Sequence, residues 1–342
     1  MAVPWGPGTA TGVGSLPGTD APEAARLVVG ELPDLPHVPE LPDRGAGAGI
    51  TGRGLLLLTD LWADLQPSGW RIVPRPGVDH RRARDLLARD LDAVEEAAHD
   101  HDGLFKAQLA GPWTLSGTTE LTLGDKVLSD HGACHDVAEA LADGVRIHIT
   151  DLRRRLPHVT DLLVQVDEPL LPTVRDGRLR SASGYGVLRQ PDRAELLDGL
   201  RTVLGAIAEA GAVPGVHCCT PLAPIAFFRE AGAQWVSVDL TIEQDEEQLG
   251  SAIEAGVGLV AGTVPSSGSS TTSSGPLASS GRPSDPRRSV EPVRMLWKRL
   301  GLTPDSLAHV AVSPTCGLAG ATPAEARAAL KTARDTAAEL AS

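Results

Sequence analysis

Three short stretches carry the residues best suited to chemistry. "VPGVHCCTP" sets His217 against Cys218 and Cys219, two of only four cysteines in the 342-residue chain. "SPTCGLAG" adds Cys316, and "LLVQVDEP" ends an apolar run in the carboxylates Asp167 and Glu168. An imidazole and thiolates suit a borderline-soft ion such as zinc, and carboxylates suit ammonium recognition or proton transfer. A fourth stretch, "TGVGSLPG", adds Gly14 and Ser15, and plainer readings stand beside the chemical ones. H-x-C can be a buried strand end containing sulfur, Asp-Glu can cap a following helix, and Gly14-Ser15 in "TGVGSLPG" can be simple turn chemistry rather than amides for an anion.

Which reading holds depends on the elements that position these residues. Eight short apolar runs recur: "TGVGS", "DLPHVPE", "LFKAQLAG", "DLLVQVDEP", "VPGVHCC", "WVSVDLT", "VGLVAGT" and "HVAVSPT". Most are followed by a longer amphipathic stretch, and the runs are continuous rather than alternating, as in a parallel sheet covered by helices. Eight such repeats predict an α/β fold, a single-domain (β/α)8 TIM barrel spanning residues 1–342, ahead of a doubly wound sheet. Residues 44–76 interrupt the order as an extra hairpin or lid. Residues 265–288, rich in Ser, Gly and Pro, are expected to be a mobile loop after the seventh strand.

In a barrel the C-terminal strand ends converge on one face, whatever their separation in sequence. His217 and Cys219 then point one way and Cys218 the other, because strand residues alternate. The sixth run contributes Asp239 and the eighth Cys316, so His217, Cys219, Asp239 and Cys316 form a candidate zinc set. Cys134, next to His135 in "HGACHD", is read as structural.

Composition narrows the partners. A net charge of −13 argues against nucleic acid, and the arginines of "HRRARDLLARD" and "DLRRRLPH" read as solvated helix faces. No basic segment followed by an apolar one opens the chain, and nowhere do eighteen apolar residues run together, so a soluble cytoplasmic protein with no membrane partner is expected. Four cysteines, two of them adjacent, make a poor disulfide framework.

Taken together, the motifs resemble the cobalamin-independent methionine synthase family, in particular its C-terminal zinc-bearing barrel in a short single-domain form. Gly14-Ser15-Leu16-Pro17 matches its G-S-[FL]-P, Gly111-Pro112 and Thr114 its G-P-x-T, and Asp167-Glu168-Pro169 its D-E-P. His217 and Cys219 match its H-x-C, Pro314, Cys316, Gly317 and Leu318 its P-x-C-G-L, and Glu40 with Arg44 a looser acidic and basic pair. The resemblance implies a methyltransferase that activates homocysteine as an exchangeable zinc ligand and forms methionine. It implies Ser15, Glu40, Asp167 and Trp113 against the substrate, and Asp167 and Glu168 as catalytic carboxylates. Two departures stand out. Asp239 takes the place of the family's glutamate ligand, and Thr263 lies near the position where folate-using members carry a histidine that protonates the leaving nitrogen. The sequence also holds one barrel where full-length members have two. The methyl donor, folate or corrinoid carrier, is left open. So are alkylation of another thiol, a metal-free barrel of the uroporphyrinogen decarboxylase type, and a noncatalytic zinc-stabilised binding protein.

Overall fold

A computed structural model describes residues 5–181, 184–266, 286–303, 306–307 and 310–342. Six parallel strands, β3 (Gly103–Ala110), β4 (Val159–Asp167), β5 (Val213–Cys218), β6 (Trp235–Asp239), β7 (Gly258–Val264) and β8 (Val310–Pro314), pair in chain order. They coincide with the last six apolar runs. The first two runs depart from expectation, since they make isolated bridges rather than ladders. Those bridges nevertheless close the ring. Thr11 donates to Val312 of β8, Glu40 donates to Gly14, and Val38 donates to Lys106 of β3.

The reason lies in the second run, which holds Pro36 and Pro39. In a regular strand residues i and i+2 face the same neighbour, yet Val38 bonds to β3 and Glu40 to the first run. The chain turns over at Pro39, which has no N–H to keep a ladder going.

Helices follow each strand position: α1 (Ala21–Glu31), α3 (Val78–Ala97), α5 (His131–Arg155), α7 (Arg193–Glu209), α8 (Ile225–Ala231), α9 (Glu246–Glu254), α10 (Pro286–Leu300) and α11 (Pro323–Ala341). Two short ones, α4 (Pro112–Thr118) and α6 (Leu171–Arg175), turn the chain just beyond β3 and β4. Five starts are fixed by side chains that accept a backbone N–H: Asp20, Asp130, Asp192, Asp245 and Thr322. The last helix packs on the first, which closes the outer ring. The interruption at 44–76 contains the short helix α2 (Ile50–Leu55) and an antiparallel hairpin of β1 (Trp62–Gln66) and β2 (Gly69–Val73). Most of the loop expected at 265–288 lies outside the described residues. Among the described residues no helix is long and apolar enough to cross a membrane.

The barrel interior is filled in layers. At the base Leu163, Trp235, Val260 and Ala311 form with Trp5 and Leu35 a cluster separate from the main core. Trp235 needs Gly215 opposite it, because a Cβ there would stand 2.0 Å from the indole ring. One pleat higher the interior is polar, with Lys106, Gln165, Ser237 and Ser313 all buried. Above them stand Gln108, Asp167 and His217.

Candidate metal centre

The uppermost layer gathers residues far apart in sequence. His217 lies near the end of β5, Cys219 just beyond that strand and Cys316 two residues beyond β8. One nitrogen of His217 and the two sulfurs lie within 4.8 Å of one another. The sulfurs of Cys219 and Cys316 are 2.9 Å apart, and both are free thiols. Cys218 faces the other way into the core outside the barrel, its sulfur 3.2 Å from the Thr220 hydroxyl.

Two observations bear on whether a metal fits. The Nδ1 of His217 lies 3.0 Å from the Ser237 hydroxyl, while its buried Nε2 has no hydrogen-bond partner among the described residues. With Nδ1 as donor to Ser237, Nε2 keeps its lone pair free for an ion, the arrangement that outer partners impose on ligating histidines. The Cys316 thiol is also pulled down to about 4 by the Cys219 thiol that hydrogen-bonds to it and by the adjacent His217. Cys219 is raised correspondingly, by Cys316 and by burial. Two sulfurs and an imidazole fit zinc, and three protein ligands leave one position open, as in catalytic rather than closed structural sites.

Asp239 stands outside this set. Its Oδ1 accepts from the Thr241 amide at 2.8 Å and from the Thr241 hydroxyl at 2.6 Å. Half-burial pushes its carboxyl upward despite those two donors.

A cavity of about 310 Å³ opens on the sulfurs and on Ser15, Glu40 and Asp167. That volume is at the small end of ligand pockets, roughly 300–1,000 Å³, and suits an amino-acid-sized molecule. Asp167 Oδ1 accepts from Gln165 Nε2 at 2.7 Å, and burial pushes its pKa up to about 7. Glu40 pairs with Arg53 at 3.3 Å, and Arg53 in turn reaches Asp90 on α3 at 2.8 Å. Arg44, expected beside Glu40, instead binds Asp90 at 2.6 Å. Ser15 pairs with Glu40, and its carbonyl accepts from the Leu318 amide. Its hydroxyl occupies space that only a glycine at 317 leaves, since a Cβ there would lie 2.1 Å from Ser15 Oγ.

Two expected site residues lie elsewhere. Glu168 does not line the cavity. Its Oε1 accepts from the Trp113 amide at 2.9 Å, and its Oε2 from the Thr114 amide at 2.9 Å and hydroxyl at 2.7 Å. It thereby fastens the start of α4 to the end of β4. Burial raises its pKa to about 8 against the pull of those donors. Trp113 is a core residue, not a substrate contact. Its indole N–H donates to the Leu196 carbonyl and its ring packs on Gly199 of α7. Thr263 is buried near the end of β7 with its hydroxyl unpartnered among the described residues.

Sequence reasoning passed over Lys106, Gln108, Gln165, Ser237 and Arg53. The first three had a signal. Lys106 and Gln108 in "LFKAQLAG", and Gln165 and Asp167 in "LLVQVDEP", repeat at the period of two that puts them on one strand face. Polar residues at that period within apolar runs mark an interior that is not greasy throughout.

No family model matches the chain, and no curated protein sequence does. Among solved structures, it is similar to a B12-independent methionine synthase from Shewanella sp. W3-18-1 in complex with selenomethionine. The identity is 12%, the TM-score 0.60, and 97% of each chain is covered. The chain therefore shares the fold of that enzyme. A 2,3-dimethylmalate lyase (9% identity, TM-score 0.38, 90% of this chain and 76% of that one) is a remoter likeness. So is a D-psicose 3-epimerase from Clostridium cellulolyticum H10 (12%, 0.38, 74% and 83%).

Proposed function

We propose that this chain is a zinc-dependent methyltransferase acting on a small thiol, with homocysteine as substrate and methionine as product. The observation that carries the reading is the meeting of the His217 nitrogen with the sulfurs of Cys219 and Cys316 at the wall of a small cavity that two carboxylates also line. The shared fold with a methionine synthase supports it.

His217, Cys219 and Cys316 would hold the metal, with Asp239 as a fourth donor or the position left to substrate. When bound, zinc keeps a substrate thiol as its nucleophilic thiolate at neutral pH. The protein's own residues do the rest. Asp167 and Glu40 take the substrate ammonium, and Ser15 with the amides about it takes the carboxylate. Burial keeps these contacts strong, because little water competes for them. The methyl group passes from its donor to sulfur, the carbon–donor bond breaking as the sulfur–carbon bond forms, and the bonding pair leaves with the donor. With threonine at 263, the donor suited to this chain is one whose leaving group needs no proton from that position.

Metal analysis of the purified protein beside His217→Ala tests the base of the reading. A stoichiometry near one zinc, lost in the variant, is expected; none in either overturns it. Methionine formation is then assayed with methyltetrahydrofolate, methylcobalamin and simple methyl donors. Bound zinc with no product from any of them would move the function to another thiol.

A further inference from the structure

The polar layer beneath the cavity holds a buried cation that the proposed chemistry has not used. Lys106 on β3 is fully enclosed, and its Nζ meets three acceptors: the Val13 carbonyl at 3.0 Å, Gln165 Oε1 at 3.1 Å and Gln108 Oε1 at 3.3 Å. A neutral amine has two N–H bonds and a lone pair, whereas an ammonium has three N–H bonds and no lone pair. Three acceptors therefore call for the charged form. Burial lowers its pKa to about 8, and Asp167 and Glu40 above it hold the value up.

The consequence runs through Gln165. An ammonium only donates, so it takes the oxygen end of the Gln165 amide. The NH₂ end is thereby turned the other way, where it donates to the Val13 carbonyl at 2.9 Å and to Asp167 Oδ1 at 2.7 Å. Gln108 is fixed by the same logic, since its Oε1 accepts from Lys106 and its Nε2 donates to the Val38 carbonyl at 2.6 Å. Without the lysine the Gln165 oxygen loses its donor, and the amide is held only by the Val13 carbonyl and by the Asp167 carboxylate that it serves to position.

We infer that Lys106 and Gln165 are positioning residues that set the selectivity of the cavity for thiols bearing an amino group, by holding the Asp167 carboxylate in place to receive it. Glu40 is backed in the same way by Arg53 at 3.3 Å. Each carboxylate that lines the cavity thus has a buried cation behind it, one direct and one relayed. The inference rests on the thiol-binding reading of the site and adds to it the residues that make its ammonium contact selective.

The test uses the full-length protein loaded with cobalt in place of zinc, whose sulfur-to-metal absorption reports thiol binding without turnover. Homocysteine is titrated against 4-mercaptobutyrate, the same molecule without its amino group, in wild type, Lys106→Met and Gln165→Met. In both variants homocysteine affinity is expected to fall about tenfold or more, and that of 4-mercaptobutyrate to stay within about twofold. Metal content is expected to be unchanged. If the two thiols weaken together, or if neither does, the positioning role is overturned. Should Lys106→Met fail to fold, Gln165→Met, which removes no buried charge, decides the question alone. A wild type that shows no response to either thiol overturns the thiol-binding reading, and the inference with it.

Discussion

Ser237 provides the sharpest quantitative test of the metal centre. It sits directly beside His217 in the register of β5 and β6, and its hydroxyl is 3.0 Å from Nδ1. Ser237→Ala leaves every proposed ligand intact and removes only this partner. A buried imidazole N–H without an acceptor costs about 1–3 kcal/mol. The metal-free protein escapes much of that cost by moving the proton to Nε2, on the side where His217 favours the Cys316 thiolate. The loaded protein cannot, because Nε2 must keep its lone pair for the ion. The penalty therefore falls mainly on the bound state, and losses of this kind run to about 10–100-fold in affinity, or roughly 1.4–2.7 kcal/mol. Competition against a chelator of known zinc affinity, at fixed pH, measures it. Ser313→Ala is the control: it removes a buried hydroxyl of the same layer that bonds instead to the Pro314 carbonyl, and its effect should be no more than about twofold. Zinc affinity unchanged in Ser237→Ala, or reduced equally in Ser313→Ala, would refute the reasoning.

Glu168→Gln should cost about 1–3 kcal/mol of stability, read as a lower unfolding midpoint, because an amide cannot accept from both the Trp113 and Thr114 N–H groups. Its effect on thiol affinity should be small by comparison, and a selective loss of activity at full stability would restore it to the chemistry. Oxidant treatment of the metal-free protein should couple Cys219 to Cys316, detected by peptide mass mapping, and bound zinc should block the reaction; Cys134 and Cys218, both buried, should stay reduced. The buried His37 and His148 have pKa values lowered to about 3 and about 4, chiefly by burial. The unfolded chain takes up these protons near pH 6.5 and the folded chain does not, so stability is full above that pH and falls as the pH drops toward 4. The slope is roughly 1.4 kcal/mol per pH unit for each histidine, and urea melts of His148→Gln should show a shallower acid limb.

The strands from β3 onward were legible because each is a continuous apolar run with a clear boundary, which is what a sheet covered on one face and filled on the other requires. The first two runs were legible as positions in the ring but not as ladders; in the second, Pro36 and Pro39 interrupt the pairing that their apolar neighbours suggest. For the site, alternation was enough to separate Cys219 from Cys218, which pack on opposite faces of β5. It could not place Glu168, because a carboxylate after a strand looks the same whether it faces a cavity or the amides of the next helix. Trp113 misled for a related reason. It follows a glycine-proline turn at the mouth, yet its ring reaches down between helices to Leu196. Distances of that kind depend on the whole ring closing and leave no trace in local spacing.

The cluster of Trp5, Leu35, Trp235 and their neighbours plugs the barrel from below. Among the described residues that end of the barrel is packed and the cavity opens at the other. On the proposed function, the molecule that binds at the sulfurs would be loaded before the group-bearing partner arrives above it, and would leave after that partner's remnant has gone. On that reading the thiol would be first in and its alkylated product last out, a kinetic sequence written by two tryptophans of the barrel floor.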